Sequence, residues 1–228
     1  LENYRRAFQD ASFVHSFWFT ALFAVISLVL INVLAFAVAY ALTQGIKGSN
    51  LYRTVFFMPN LIGGIVLGYI WSMIFDGILS RYGTSILLNT KLGFWGLIIL
   101  MCWQQIGYMM IIYVAGLQSV PGDLIEAAKI DGANGWKTFW RITVPLLKPT
   151  IIMTFIMSIN GTLQLFDESV NLTKGGPANS TITMSHYIYN TCFINVPNFG
   201  YAAAMSFIIF IMVAVLAFIN LKVGDTRD

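Results

Sequence analysis

Residues 17–42 read FWFTALFAVISLVLINVLAFAVAYAL, 26 consecutive positions without one charged side chain. Crossing the roughly 30 Å of bilayer hydrocarbon takes about 20 apolar residues in a helix, and this stretch passes that test. A helix in a soluble core would instead show a polar face with a 3.6-residue period. Ala21–Ala41 offers only Ser27, Asn32 and Tyr40. The stretch is far longer than the apolar centre of a secretory signal, and no small-residue cleavage site follows it. It reads as a permanent span.

Four further charge-free stretches flank it in the chain: Val55–Phe75, Leu92–Leu117, Thr150–Phe166 and Phe199–Leu221. The fold class is therefore all-α, a polytopic membrane helix bundle with five transmembrane helices. No repeat, low-complexity run or linker divides residues 1–228, so one domain is expected. Only 10% of the chain is charged, less than half the share of about 25% in soluble domains, which excludes a soluble enzyme. Cys102 and Cys192 are too few for a disulfide scaffold or a four-ligand metal site, and no metal or cofactor is expected. The 13 Lys and Arg form no stripe for a nucleic acid. If the spans alternate, eight of those residues fall on the side of residues 43–54, 118–149 and the C-terminal tail, and five on the other. The positive-inside rule then makes 118–149 a cytoplasmic loop and 167–198 an outer one. Residues 1–14 read as outer, so at least one more helix is expected upstream of residue 1.

Residues 118–149 behave unlike a connector, because they carry helix signals of their own. Pro121 suits a first helical turn, Asp123 and Glu126 complement the positive N-terminal dipole, and Gly132 fits a left-handed C-cap after Asp131. A short helix over about Pro121–Asp131 follows. Ala127 and Ala128 leave room for close docking, with Leu124, Ile125 and Ile130 as apolar contacts and Glu126 and Lys129 as polar ones. A second helix, about Asn134–Thr143, presents Trp136, Phe139 and Trp140, and Pro145 and Pro149 break the path back into the membrane.

The string Glu126-Ala127-Ala128-Lys129-Ile130-Asp131-Gly132-Ala133, with Phe139, Ile142, Pro145 and Pro149 behind it, resembles the EAA signature of ABC-importer permeases. Asn3-Tyr4-Arg5-Arg6, Phe57-Met58-Pro59, Leu172-Thr173-Lys174-Gly175-Gly176-Pro177 and Tyr187-Ile188-Tyr189 extend the likeness over essentially all 228 residues. They are similar to the first, F-type, of the two permeases in carbohydrate-uptake importers of the maltose and glycerol-phosphate class. The resemblance implies a type I importer fold in a prokaryotic cell membrane and a homologous second permease. It also implies two cytoplasmic ATPase subunits and an extracellular sugar-binding lipoprotein. It assigns the ATPase contact to Glu126, Ala127, Ala128, Asp131, Gly132 and Ala133. Gly135-Trp136-Lys137 is no Walker sequence, so ATP chemistry belongs to a partner and this chain is not an enzyme.

Polar side chains at membrane depth are costly and face a bundle interior or a cavity. Gln104 and Gln105 mark the midpoint of the third span, beside Trp103 and Tyr108; Ser158 and Thr162, and Asn160 and Gln164, are i, i+4 pairs about Gly161. Amides and hydroxyls both donate and accept, as sugar hydroxyls do. Gln104, Gln105, Tyr108, Ser158, Asn160, Thr162 and Gln164 are thus candidates to line a sugar path, with helix-to-helix bonding as the alternative. Asp76, Asp167 and Glu168 read as solvated outer rim, and His15 and His186 do not suit a metal. Pro59 with Gly63, Gly64 and Gly68 marks a broken or closely packed second span. Residues 182–193 read as an interfacial or re-entrant helix. The expected function is inward sugar transport by alternating access. A permease for glycerol phosphate or an amino acid, a non-transporting scaffold for an ATPase, and a secondary transporter are the alternatives. The absence of Lys or Arg within the spans favours a neutral solute.

Overall fold

The computed structural model describes residues 2–224. A short amphipathic helix, α1 (Glu2–Gln9), precedes α2 (Ala11–Thr43), whose start is set by Asp10: its carboxylate accepts from the Ser12 amide at 2.9 Å and the Phe13 amide at 3.4 Å. Then come α3 (Ser49–Phe57), α4 (Gly64–Leu79) and α5 (Thr90–Gln118). Next are α6 (Gly122–Ile130), α7 (Gly135–Thr138), α8 (Val144–Leu146) and α9 (Lys148–Leu163), then α10 (Met184–Tyr189) and α11 (Phe199–Gly224). Among the described residues there is no strand.

Among the described residues three helices, α2, α5 and α11, are long and apolar enough to cross a bilayer alone. Two bent pairs bring the number to the expected five when each is taken as one span. In the first, residues 49–61 and 64–82 meet at 99°, so the second expected span is broken at Met58–Leu61, a tight turn opened by Pro59. In the second, residues 135–146 and 148–163 meet at 64°. Pro145 has no amide hydrogen to give to the preceding turn, and the chain widens into a π-helical turn at Phe139–Thr143 just before it.

The centre is α5, an unbroken helix of 29 residues packed along α2. The two run parallel: Phe19 and Phe23 set their ring edges against Phe94 at one end, and Phe36 sets its edge against Tyr113 at the other. α9 lies against both in the opposite direction. α3 crosses α5 so closely that a Cβ on Gly107 would overlap the Phe56 carbonyl. Small residues at such crossings are how membrane helices gain packing without a hydrophobic drive toward each other. Opposite the α6 end, Asp10 accepts from Tyr187 at 2.7 Å and from Tyr201 at 2.8 Å, and the Arg6 guanidinium sits 4.8 Å over the Tyr201 ring. This clamp gathers α1, α2, α10 and α11.

Candidate functional site

The sequence-expected helix over 121–131 forms as α6, Gly122–Ile130, with Pro121 one place earlier than expected, at the N-cap. Its end is a Schellman closure: Ala133 donates to the Ala128 carbonyl at 2.9 Å and Gly132 to the Lys129 carbonyl at 3.1 Å. Gly132 has φ +74°, where a side chain is strained. Asn134 caps α7 by accepting from the Lys137 amide at 2.8 Å. Of α6 only Ala128 is buried; Ile130 is 86% exposed, and Leu124, Trp136 and Trp140 are exposed as well. Glu126, Ala127, Asp131 and Gly132 face out and Ala133 is half-covered. The segment is held to the bundle by Phe139, which packs on Phe36 and Tyr40 of α2. Apolar side chains left open on a capped helix at the end of the bundle form a surface another protein can cover.

The seven polar candidates in the spans separate into three groups. Gln104, Gln105 and Gln164 line one cavity of about 230 Å³, together with Asp167 and Glu168. Asn160 stands beside it, accepting from Gln164 Nε2 at 2.6 Å. Ser158 and Thr162 face away from it and are buried in the helix contacts. Ser158 Oγ accepts from Asn32 at 3.1 Å, and Thr162 donates to the Ser158 carbonyl at 2.7 Å. The expectation that this pair shares a space with the two glutamines is therefore corrected, because α9 turns that face toward α2. Tyr108 lies elsewhere too, its ring against Phe57.

Gln104 is 7% exposed, and its amide is half-satisfied. Nε2 donates to the Ile62 carbonyl, freed by the break before α4, at a long 3.5 Å, while Oε1 has no partner. The carbonyl can only accept, which fixes the nitrogen on its side and the oxygen free. An unpaired buried acceptor costs about 1–3 kcal/mol.

Glu168, expected on a solvated rim, is buried. It follows α9 and opens a π-helical turn, Ser169–Thr173, that packs against α4 at Gly64 and Gly68. A Cβ on Gly64 would come 2.7 Å from Glu168 Oε1, and one on Gly68 would come 2.8 Å from Asn171. Burial, and beyond it the like charge of Asp167, pushes the Glu168 carboxyl above the ordinary carboxylate range. Asp76, another expected rim residue, instead holds the turn after α4: it accepts from Ser85 Oγ at 2.7 Å and the Ile86 amide at 3.1 Å.

Residues 33–224 match the family of binding-protein-dependent transport system inner membrane components. The chain belongs to that family. It is a multi-pass membrane permease, a transport subunit and not an enzyme. The permease is 38% identical, over all of its length and 80% of the relative's, to a probable starch degradation products transport permease of Thermoanaerobacterium thermosulfurigenes. It is also 38% identical to the lactose transport permease LacF of Rhizobium radiobacter, over 99% of this chain and 80% of that one. Its fold is that of a chain in the crystal structure of a bacterial ABC transporter importing the acidic polysaccharide alginate. There the TM-score is 0.87 with 19% identity, over all of this permease and 84% of that chain.

Two parts of the permease's polar architecture escaped sequence reading. Asn32 accepts from Tyr113 at 2.8 Å, and Tyr113 accepts from Thr154 at 2.8 Å, so one network joins α2, α5 and α9. Asn32 was visible as an isolated amide in the first span, which is a signal for such a partner. The turn at Ser169–Thr173 carried no signal at all.

Proposed function

We propose that the permease conducts a neutral sugar, an oligosaccharide, inward by alternating access. It does so paired with a homologous second permease, with two cytoplasmic ATPase subunits beneath it and a sugar-binding lipoprotein above. The observation that carries this reading is the gathering of Gln104, Gln105 and Gln164 on one cavity among otherwise apolar helices. Amides cost free energy in hydrocarbon, and here the Gln104 oxygen is left without a partner. The names of the starch-product and lactose relatives support a sugar, and the cavity wall offers no Lys or Arg to a phosphate or carboxylate. In this reading α6 is cytoplasmic and docks in an ATPase cleft through Leu124, Ile130 and the surface of Glu126 and Ala127, while Gly132 and Ala133 close its end. Closure of the ATPases then moves α6 together with α5 and α9, and the pathway opens to one side or the other.

The test is uptake by the four-subunit complex in proteoliposomes with its delivery protein, across maltose, lactose and malto-oligosaccharides. Gln164→Leu removes a hydrogen bond worth about 0.5–1.5 kcal/mol, so the half-saturating concentration should rise about 2- to 12-fold. A wild-type complex that hydrolyses ATP but passes no solute would mark a scaffold. An unchanged sugar dependence in Gln164→Leu would place the path elsewhere.

A further inference from the structure

The cavity of Gln104, Gln105 and Gln164 is closed at one side by two carboxyl groups, and its wall is richer in acceptors than in donors. Gln104 lines it, its unpartnered oxygen buried beneath the wall in a side chain that is more than nine-tenths covered. The Gln164 nitrogen is engaged by Asn160. Asp167 and Glu168 add carboxylate oxygens, and no Lys, Arg or His is among the lining residues. The Glu168 carboxyl lies against Gly64, where a side chain would collide with it. Asp167 beside it carries a charge of like sign.

We propose that Glu168 sets the charge selectivity of the pathway, admitting uncharged, hydroxyl-rich sugars and turning away sugars that carry a carboxylate or phosphate. This rests on the sugar-permease reading and deepens it. A sugar hydroxyl donates to a carboxylate oxygen of the wall. A carboxylate or phosphate on the sugar meets the like charge of the Asp167 and Glu168 carboxylates where burial weakens screening. Selection of this kind comes from the element that repels the wrong ligand as much as from contacts with the right one.

The test measures equilibrium binding to the detergent-solubilised permease–ATPase complex without its delivery protein, so that the delivery protein's own choice does not enter. The probes are maltotriose and the same trisaccharide bearing a terminal uronate. The wild-type complex should prefer the neutral sugar by about tenfold or more, equivalent to about 1.4 kcal/mol. Glu168→Gln keeps the shape and removes the charge, and should bring the ratio below about threefold through gained uronate binding. Asp167→Asn, at a half-exposed position that tolerates change, should lower the ratio partway and serves if Glu168→Gln fails to assemble. A ratio unchanged in the assembled variants overturns the proposal while leaving the permease reading intact. A wild-type complex that binds neither trisaccharide, and imports none with the delivery protein present, overturns the sugar reading itself.

Discussion

Asn32 makes three hydrogen bonds from one buried amide: to the Leu28 carbonyl at 2.8 Å, to Ser158 at 3.1 Å and from Tyr113 at 2.8 Å. Two of these cross between helices, and such bonds contribute about 0.6 kcal/mol each on average within a membrane. Asn32→Ala should therefore lower the stability of the complex by about 1–2 kcal/mol, read from the unfolding midpoint in mixed micelles. Tyr113→Phe should cost a similar amount, and the double variant should cost less than the sum, because each single change already orphans the partner. Strict additivity would mean that the network does not couple α2 to α5. That the apolar stretches carry seven such polar residues was legible in the sequence; which of them bind each other was not. Lipid tails are as apolar as a packed interior, so the faces of α2, α5 and α9 differ too little for periodicity to say which side is covered. Ser158 and Thr162 were misplaced for that reason, and Glu168 because its burial depends on Gly64, about a hundred positions earlier.

Helix α6 was legible almost to the residue, since its start and stop signals are local: Asp123 in the first turn, Lys129 in the last, Gly132 beyond the end. The breaks at Met58–Leu61 and at Leu147 were legible as proline positions, Pro59 in the first and Pro145 and Pro149 about the second, but not as angles. The α6 end gives a paired prediction. Gly132 and Gly122 both have open space where a Cβ would go, but only Gly132 has a left-handed backbone. Gly132→Ala should thus destabilise the α6 turn by about 1–2 kcal/mol and lower substrate-stimulated ATP hydrolysis, purely through conformation. Gly122→Ala should leave it unchanged or favour it by about 0.4–1 kcal/mol through the unfolded state. Equal stimulation in the two variants would show that the α6 cap does not matter for coupling.

At the scale of the whole molecule, the end opposite α6 is tied by one carboxylate. Burial alone would raise the Asp10 pKa, but the hydroxyls of Tyr187 and Tyr201 and the amides of Ser12 and Phe13 outweigh it and hold the carboxyl below its ordinary 3.8. The same contact, with burial, pushes the Tyr187 phenol up to about 12. For a depressed carboxylate the stabilisation is complete above the unfolded value and is lost as pH falls through the folded one. Wild type should therefore lose thermal stability below about pH 4 more steeply than Asp10→Asn, measured by melting of the solubilised complex from pH 7 to pH 3. Parallel curves would remove Asp10 from the account of that clamp. Between this clamp and α6 runs α5, unbroken for 29 residues. At 1.5 Å per residue, Gln104 stands about 21 Å along that shaft from Gln118, so a swing of about 10° pivoted at Gln118 displaces Gln104 by about 3.6 Å. That is more than a hydrogen-bond length: the shaft works as a lever with enough throw to make or break the grip of Gln104 in a single small stroke, with no helix needing to melt or slide a turn.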